Sequence, residues 1–223
     1  MLLMSATDIR VAPHVSHCHQ ACCHATTGTD ITYTRRVARW TPNARGRLET
    51  AALELYDEHG YDQATVTQIT ERAGLTERTF FRHFADKREV LFGGSQLLQD
   101  HLVERVTDAP PSAAPWEAMT AALSTAGDVL PADREYSRLR QRVIAAHPGL
   151  MERELIKLAT LSEALADALQ RRGIAARTAH LAADTAIAVF KAAFTRWLET
   201  PEQSDFATLV REASEEQRVI VGG

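Results

Sequence analysis

Cysteine is scarce in this sequence of 223 residues and is confined to one short segment near the N-terminus. The three cysteines, Cys18, Cys22 and Cys23, lie within six residues of one another. An odd and clustered set cannot form a disulfide framework for a body of this length, so a disulfide-stabilised secreted scaffold is excluded. The cysteine content is compatible with a reducing compartment.

Long apolar runs are also missing. Even the apolar stretch from residue 181 to residue 198 contains Asp184, Lys191 and Arg196, so it does not read as a membrane span. Residues 1–4 lack the basic region and the following apolar core of a secretory signal. We therefore expect a cytoplasmic protein with no membrane partner.

Motifs of catalysis are absent as well. The sequence contains no glycine-rich phosphate loop, no His-Glu-x-x-His, no Gly-x-Ser-x-Gly and no pair of carboxylates at a usable spacing. We therefore expect neither an enzyme nor a bound cofactor.

The net charge of −4 would argue against a nucleic-acid-binding protein if the charge were evenly distributed. The acidic excess lies mostly in residues 91–223, however, and the stretch from Ile31 to Leu48 contains five arginines and no acidic residue. This basic arm leaves DNA binding open for the N-terminal half of the chain.

The segment that follows the arm has the periodicity of short helices. Apolar residues at the i, i+3, i+4, i+7 spacing predict a first helix over residues 44–59, with Gly60 as its stop. Thr65-Val66-Thr67-Gln68 has the form of a capping box and predicts a second helix that ends at Gly74.

A third helix is predicted to begin at once, because Thr76 is a good N-cap. Phe80 and Phe84, one turn apart, are predicted to point into the core of this small domain. Two short helices joined by a glycine-containing turn predict a helix-turn-helix. The run Asp86-Lys87-Arg88-Glu89 predicts the beginning of a fourth helix.

The stretch from Arg47 to Phe92 resembles the DNA-binding domain of the TetR family of bacterial transcription regulators. The resemblance is carried by Ala51 to Leu55, His59-Gly60-Tyr61, Thr65 to Ile69, Ala73 to Phe84 and Asp86 to Leu91. It implies an N-terminal three-helix domain joined by a linking helix to a larger helical domain for ligand binding and dimerisation. It also implies a repressor that leaves its palindromic operator when a small-molecule inducer binds.

The residues expected to contact bases or phosphates by this resemblance, with Arg45 added from the basic arm, are Arg45, Thr67, Glu77, Arg78, Thr79, Phe81, Arg82, His83 and Lys87. Arg78 and Arg82 matter most, because a guanidinium can bond guanine O6 and N7 together in the major groove. Phe81 departs from the tyrosine that the family usually has, so one phosphate-directed hydroxyl is missing. Two alternatives stay open: Phe81 as a core residue, and His83 as a residue that caps the helix or packs against the first helix.

Five longer helices are predicted in the rest of the chain, over residues 116–130, 132–146, 149–172, 176–199 and 205–219. The expected class is therefore all-α. The expected divisions are a disordered extension over residues 1–34, a helix-turn-helix domain over residues 35–92 and a helical ligand-binding and dimerisation domain over residues 93–223.

The helix predicted over residues 176–199 is apolar on two sides, which predicts burial on both. With the last helix it would form a two-fold, four-helix interface in a homodimer. The residues expected at this interface are Ile187, Phe194, Trp197, Phe206 and Leu209. The alternative is a helix that is simply central in its own domain.

A ligand pocket is expected where polar side chains share a helix face with apolar ones, because a buried polar group needs a partner. The residues expected to line it are Trp116, Met119, Leu123, Tyr136, Arg140, Val143, His147 and Phe190. The alternative is a polar cluster satisfied within the protein.

The segment from Arg138 to Gly173 resembles the C-terminal domain of mycofactocin-type TetR regulators, in particular at Arg142-Val143-Ile144, His147 to Leu150 and Leu169 to Gly173. This resemblance implies an acyl-CoA-like ligand, for which Arg138, Arg140 and Arg142 would suit an anionic headgroup. Alternating arginines on a helix can equally face solvent.

Metal-ligand residue types crowd the N-terminal extension at His14, His17, Cys18, His19, Cys22, Cys23 and His24. Thiolate and imidazole ligands suit zinc and copper, but the spacing matches no pair of Cys-x-x-Cys motifs. A tail without a metal fits the lack of periodicity better, so no metal ligand is assigned. A metal-responsive regulator and a helical binding protein without DNA remain the alternative functions.

Overall fold

A computed structural model describes residues 43–200 and 204–222, and it contains no strand within those ranges. The all-α class predicted from the sequence is confirmed. The predicted extension over residues 1–34, with its Cys/His cluster, and the basic arm before residue 43 lie outside the described residues. The described helices are α1 (Ala44–His59), α2 (Val66–Ala73), α3 (Glu77–His83), α4 (Ser95–Thr107), α5 (Pro115–Ser124), α6 (Arg134–Ala145), α7 (Pro148–Arg171), α8 (Ala176–Glu199) and α9 (Phe206–Gly222).

Local hydrogen bonds set the limits of α2 and α3. The Oγ1 atom of Thr65 accepts from the Gln68 backbone N–H at 3.2 Å, and the Gln68 side chain accepts from the Thr65 N–H at 2.9 Å. This reciprocal pair is the capping box predicted from the sequence. Gly74 ends α2 in the left-handed conformation, φ 62° and ψ 40°, which a residue with a Cβ adopts at a cost. Thr76 then caps α3 by accepting from the Thr79 N–H at 3.2 Å, as predicted.

The fourth helix begins later than the sequence predicted. The Asp86 side chain does accept from the backbone N–H groups of Arg88 and Glu89, at 2.8 and 3.1 Å, but the turn that follows is a 3₁₀ helix over Glu89–Phe92. The α-helical hydrogen bonding of α4 begins only at Ser95, after Gly93 and Gly94. Residues 89–94 therefore form a separate joint between α3 and α4.

The C-terminal helices follow the predicted limits closely except for α5, which ends at Ser124 and is followed by a 3₁₀ turn over Ala126–Asp128. That turn lies against the beginning of α9. A Cβ on Gly127 would approach the Cβ of Phe206 to 3.1 Å, so the close packing of the turn on α9 favours glycine there.

Two hydrophobic cores organise the helices. The first lies among α1, α2 and α3 and includes Leu48, Ile69 and Phe80, but Ile144 of α6 and Leu150 of α7 also belong to it. The second lies among α4, α5, α7, α8 and α9. The end of α6 and the beginning of α7 are thus part of the core of the helix-turn-helix. None of the helices in the described ranges is both long and apolar enough to span a membrane.

Candidate DNA-binding surface and ligand cavity

Helix α3 presents one polar face and one apolar face. Phe80 is fully buried and Phe84 is 4% exposed, as the sequence predicted, whereas Phe81 is 56% exposed. Phe81 is therefore not a core residue, and that alternative is wrong. Glu77, Arg78 and Arg82 are exposed beside Phe81, and Thr79 is half-buried. In the described part of the chain neither Arg78 nor Arg82 has an ion-pair partner, so both guanidinium groups are available to a ligand of the opposite charge.

Three other residues predicted to contact DNA support this face. Thr67 of α2 donates its hydroxyl to Glu77 Oε1 at 2.5 Å and so connects the two helices of the motif. The hydroxyls of Thr79 and Thr76 lie 3.0 Å apart. His83 is half-buried, and its Nε2 atom is buried without a hydrogen-bond partner among the described residues. DNA contact by each of them stays a prediction.

Lys87 and Arg45 take part in intramolecular contacts. The Lys87 ammonium donates to the backbone carbonyls of Tyr61, Asp62 and Ala64 at 2.9, 3.3 and 3.1 Å. An ammonium has three N–H groups, and all three are matched here. Contact between Lys87 and phosphate remains a prediction, and it would require one of these bonds to be exchanged.

Arg45 lies on α1, where its Nε atom donates to Glu49 at 3.0 Å and its Nη2 atom donates to the carbonyl of Gly93. Its guanidinium also lies 5.5 Å from the centre of the Phe84 ring. The side chain is 45% exposed, so part of its charge still faces solvent.

A mainly apolar cavity of about 480 Å³ lies between the helix-turn-helix segment and the C-terminal helices. That volume is within the range of small-molecule sites. Glu49 of α1 and residues 90–95 form one wall, and side chains of α4, α6, α7 and α8 form the others. Of the predicted ligand-binding residues the cavity brings together Tyr136, Arg140 and Phe190.

Polar groups collect along α6 and α7 in this cavity. Arg140 donates from Nε to the Leu91 carbonyl at 2.6 Å and from Nη1 to Glu154 at 3.3 Å, and Gln141 donates to the other oxygen of Glu154 at 3.2 Å. The Oε1 atom of Gln141 is buried with no hydrogen-bond partner in the described structure. Burial lowers the pKa of Arg140, while the negative charge of Glu154 opposes that change.

Tyr136 lies one turn before Arg140. Burial raises the pKa of Tyr136 to about 12, and the nearby negative charge of Glu49 adds to the rise. The phenol is therefore a neutral hydrogen-bonding group at the cavity wall at physiological pH.

The other predicted ligand-binding residues lie elsewhere. Val143 and His147 line a separate groove of about 540 Å³ between α6 and the end of α1. In this groove His147 Nε2 lies 3.2 Å from Asp62 Oδ1. Met119 and Leu123 are fully buried core residues, and Trp116 packs against the same core. These three residues line neither cavity, since they belong to the core in which α5 packs against α4, α8 and α9.

The three arginines considered for an anionic headgroup do not converge. Arg140 lines the cavity, Arg138 donates to the Leu198 carbonyl at 2.6 Å, and Arg142 lines the groove beside His147. The three arginine side chains therefore do not form one site for a single anionic headgroup in this structure.

Most residues predicted for a dimer interface are packed inside the chain. Trp197, Phe206 and Leu209 are between 4 and 7% exposed and belong to the second core. Phe194 lines the cavity, and Ile187 is half-buried. The surface that α8 leaves open carries Leu181, which is 69% exposed, together with Ala188 and Ala192.

Several cavity residues were not foreseen, among them Leu91, Phe92, Leu98, Glu154 and Leu161. The first two lie in the joint that the sequence reading assigned to a continuous helix. Paired glycines at positions 93 and 94 were the available signal of an interruption there. In the described ranges no group of three or more His, Cys, Asp or Glu residues could hold a metal ion.

Comparison with known proteins follows the same division of the chain. Residues 49–92 match the sequence model of bacterial regulatory proteins of the tetR family, and residues 113–218 match that of the MftR C-terminal domain. Together the matched residues are about two thirds of the chain.

Among curated relatives, the regulator TcmR of Streptomyces glaucescens is 31% identical over 48% of this chain and 50% of its own length. The chain thus spans half the length of that relative. MftR of Mycobacterium tuberculosis is 27% identical over 73% of this chain and 84% of its own length.

A solved structure of FadR from Bacillus subtilis in complex with stearoyl-CoA superposes with a TM-score of 0.52 and 19% identity, covering 76% of this chain and 95% of that one. This likeness supports the fold. The matched N-terminal and C-terminal sequence models, with the helix-turn-helix and helical domain that carry them, show that the chain belongs to the TetR family of bacterial regulatory proteins.

Proposed function

We propose that this chain is a ligand-responsive transcription regulator that binds duplex DNA through α3 and changes its DNA affinity when a small molecule occupies the cavity between its domains. The observation that carries the proposal is the exposed face of α3. Arg78 and Arg82 lie one helical turn apart on it, and neither forms an ion pair within the described ranges. Such a face suits the major groove, where arginine reads guanine.

The remaining contacts follow from the same docking. Glu77, Thr79 and Phe81 would meet base edges, and the Phe81 ring would contact a thymine methyl group. Thr67, Arg45 and His83 lie where the DNA backbone would pass, and they would place the helix without reading sequence. Release by ligand makes the protein a repressor, and this direction is part of the proposal.

We propose a homodimer that binds a two-fold symmetric operator. The exposed face of α8, with Leu181, Ala188 and Ala192, is the surface available to a second copy, since the larger aromatic residues of α8 and α9 lie in the core. Sedimentation velocity should show a dimer at micromolar concentration, and Ala192→Glu should shift it toward monomer. A wild-type monomer at that concentration would contradict this part.

The proposed inducer is a molecule with a long apolar body, because the cavity wall is mainly apolar and includes six leucine and three phenylalanine side chains. Stearoyl-CoA is the first compound to test, since the FadR neighbour was solved with it and the C-terminal domain is of the MftR type. In that case the acyl chain would occupy the cavity and the nucleotide part would remain outside.

The test uses the full chain. Selection from random duplexes identifies a bound sequence, and fluorescence anisotropy then measures its affinity at several salt concentrations, with and without stearoyl-CoA. We expect a symmetric site, a steep fall of affinity with salt, and release on addition of the ligand. Failure to bind any duplex at low salt would overturn the proposal, and binding of stearoyl-CoA without DNA binding would favour a helical binding protein instead.

A further inference from the structure

The joint between α3 and α4, residues 89–94, is held from two sides by arginine. Arg140 of α6 donates to the carbonyl of Leu91 at 2.6 Å, and Arg45 of α1 donates to the carbonyl of Gly93. A Cβ on Gly93 would lie 2.2 Å from the Glu49 carboxylate that pairs with Arg45, so a larger residue there would require these side chains to shift. The joint is therefore tied both to the helix-turn-helix and to the C-terminal domain.

Arg140 also lines the cavity and contacts both the joint and α7. Its guanidinium lies 5.3 Å from the centre of the Phe92 ring, and its Nη1 atom lies 3.3 Å from Glu154 Oε1 on α7. The side chain is 20% exposed. One side chain thus contacts the joint, the C-terminal domain and the space in which a ligand would lie.

The hydrogen-bonding capacity of Arg140 is only partly used. A guanidinium has five N–H groups, of which Arg140 directs one to Leu91 and one to Glu154. No described residue accepts a hydrogen bond from the other three. A ligand oxygen in the cavity could therefore bind the same guanidinium that holds the joint.

We propose that Arg140 is the ligand-sensing residue of this protein. The ligand is an apolar molecule with an oxygen acceptor, a carbonyl or a carboxylate, that bonds the free N–H groups of Arg140 and draws the guanidinium away from the Leu91 carbonyl. Loss of that bond frees the joint and lowers DNA affinity. The inference rests on the proposed function, because it assigns the ligand chemistry and the coupling residue of the same cavity.

Arg138 provides a matched control on the same helix. It donates to the carbonyls of Leu198 and Thr200 and to Glu135, and it does not line the cavity or contact the joint. An effect of removing positive charge from α6 in general would appear in both arginine variants, whereas the proposed coupling would appear only at Arg140.

The first experiment needs no ligand. Hydrogen exchange measured by mass spectrometry should show faster exchange in peptides covering residues 89–98 for Arg140→Gln, and unchanged exchange there for Arg138→Gln. Affinity for the selected operator should fall about tenfold for Arg140→Gln alone, as expected for loss of one charge-assisted hydrogen bond. If Arg140→Gln does not fold, the same measurements are made on Arg140→Lys, which keeps the positive charge beside Glu154. Unchanged exchange and unchanged affinity would overturn the role of Arg140 as a link to the joint.

The second experiment tests the ligand chemistry with two probes that each carry a twelve-carbon chain but have opposite charges, laurate and dodecyltrimethylammonium. Calorimetry should show that the wild-type protein prefers laurate by about tenfold, and that Arg140→Gln loses this preference while Arg138→Gln keeps it. Equal preference in all three proteins, or no binding of either probe to the wild type, would overturn the acceptor assignment. Because the DNA-binding test of the proposed function is separate, its failure is distinguishable from failure of this inference.

Discussion

Lys87 lies directly over Tyr61. Its ammonium is 4.3 Å from the centre of the Tyr61 ring and donates to the Tyr61 carbonyl at 2.9 Å. The contact joins the segment after α3 to the loop between α1 and α2, and the Tyr56 hydroxyl donates in turn to the Lys87 carbonyl at 2.6 Å. A residue expected to anchor DNA is therefore also a structural connection inside the helix-turn-helix.

Replacement of Lys87 by methionine should lower stability. The substitution removes three hydrogen bonds to main-chain carbonyls while keeping most of the aliphatic stem, so we expect a loss of about 2 kcal/mol in the free energy of unfolding. Urea denaturation measures it, with Lys191→Met, at an exposed lysine of α8, as the control. An unchanged midpoint combined with weaker DNA binding would mean that Lys87 acts on DNA alone.

Replacement of Arg78 or Arg82 by alanine should affect DNA binding and leave stability nearly unchanged, because both side chains are exposed. Each substitution should cost about 1 to 3 kcal/mol of binding free energy if the arginine bonds guanine through two atoms. Anisotropy on the selected operator measures the cost. Arg105→Ala, an exposed arginine on α4, is the matched control, and an equal loss in all three variants would indicate general charge attraction.

Glu89 should make stability depend on acidic pH. Burial alone would raise the pKa of Glu89, but hydrogen bonds from Arg153 and Lys157, at 2.6 and 3.1 Å, outweigh it and lower the pKa. A carboxyl whose pKa is lower in the folded state contributes stability above its ordinary pKa and loses that contribution as pH falls through the folded value. Glu89→Gln should therefore cost about 1 to 2 kcal/mol at pH 7 and very little near pH 3. The exposed Glu104→Gln should show no such difference.

Tyr136 should make stability depend on alkaline pH. Since burial raises its pKa to about 12, the folded state holds the phenol proton more tightly than the unfolded state does. The contribution of the protonated Tyr136 phenol to the free energy of unfolding is complete below pH 10 and is lost as pH rises toward 12. At pH 11 the wild type should lose about 1 kcal/mol more than Tyr136→Phe, relative to each protein at pH 8. Identical losses in urea titrations would contradict this assignment.

Sequence reasoning succeeded where a structure depends on neighbouring residues along the chain. The capping box at Thr65 and the cap at Thr76 depend on residues three positions apart, and the burial of Phe80 follows from helical periodicity. These relations are set by helix geometry alone.

Sequence reasoning was less informative where segments that are distant along the chain pack together. The bonds from Arg140 to Leu91 and from Lys87 to Tyr61 join residues 49 and 26 positions apart, and no local pattern encodes them. The cavity likewise depends on which helix each face of α6 packs against. Tyr136 and Arg140 were identified because they share a face, but that face continues to Val143 and His147, which lie in another groove.

Ile144 and Leu150 have no accessible surface because they are inserted among side chains of α1, α2 and α3. A fragment that ended after α4 would leave the space they fill to water, and its remaining apolar side chains would be only partly covered. We therefore expect that the segment that carries α3 does not fold independently. Thermal denaturation of the full chain should proceed as one cooperative transition, and any separation of the two domains would at the same time loosen the helices that read DNA.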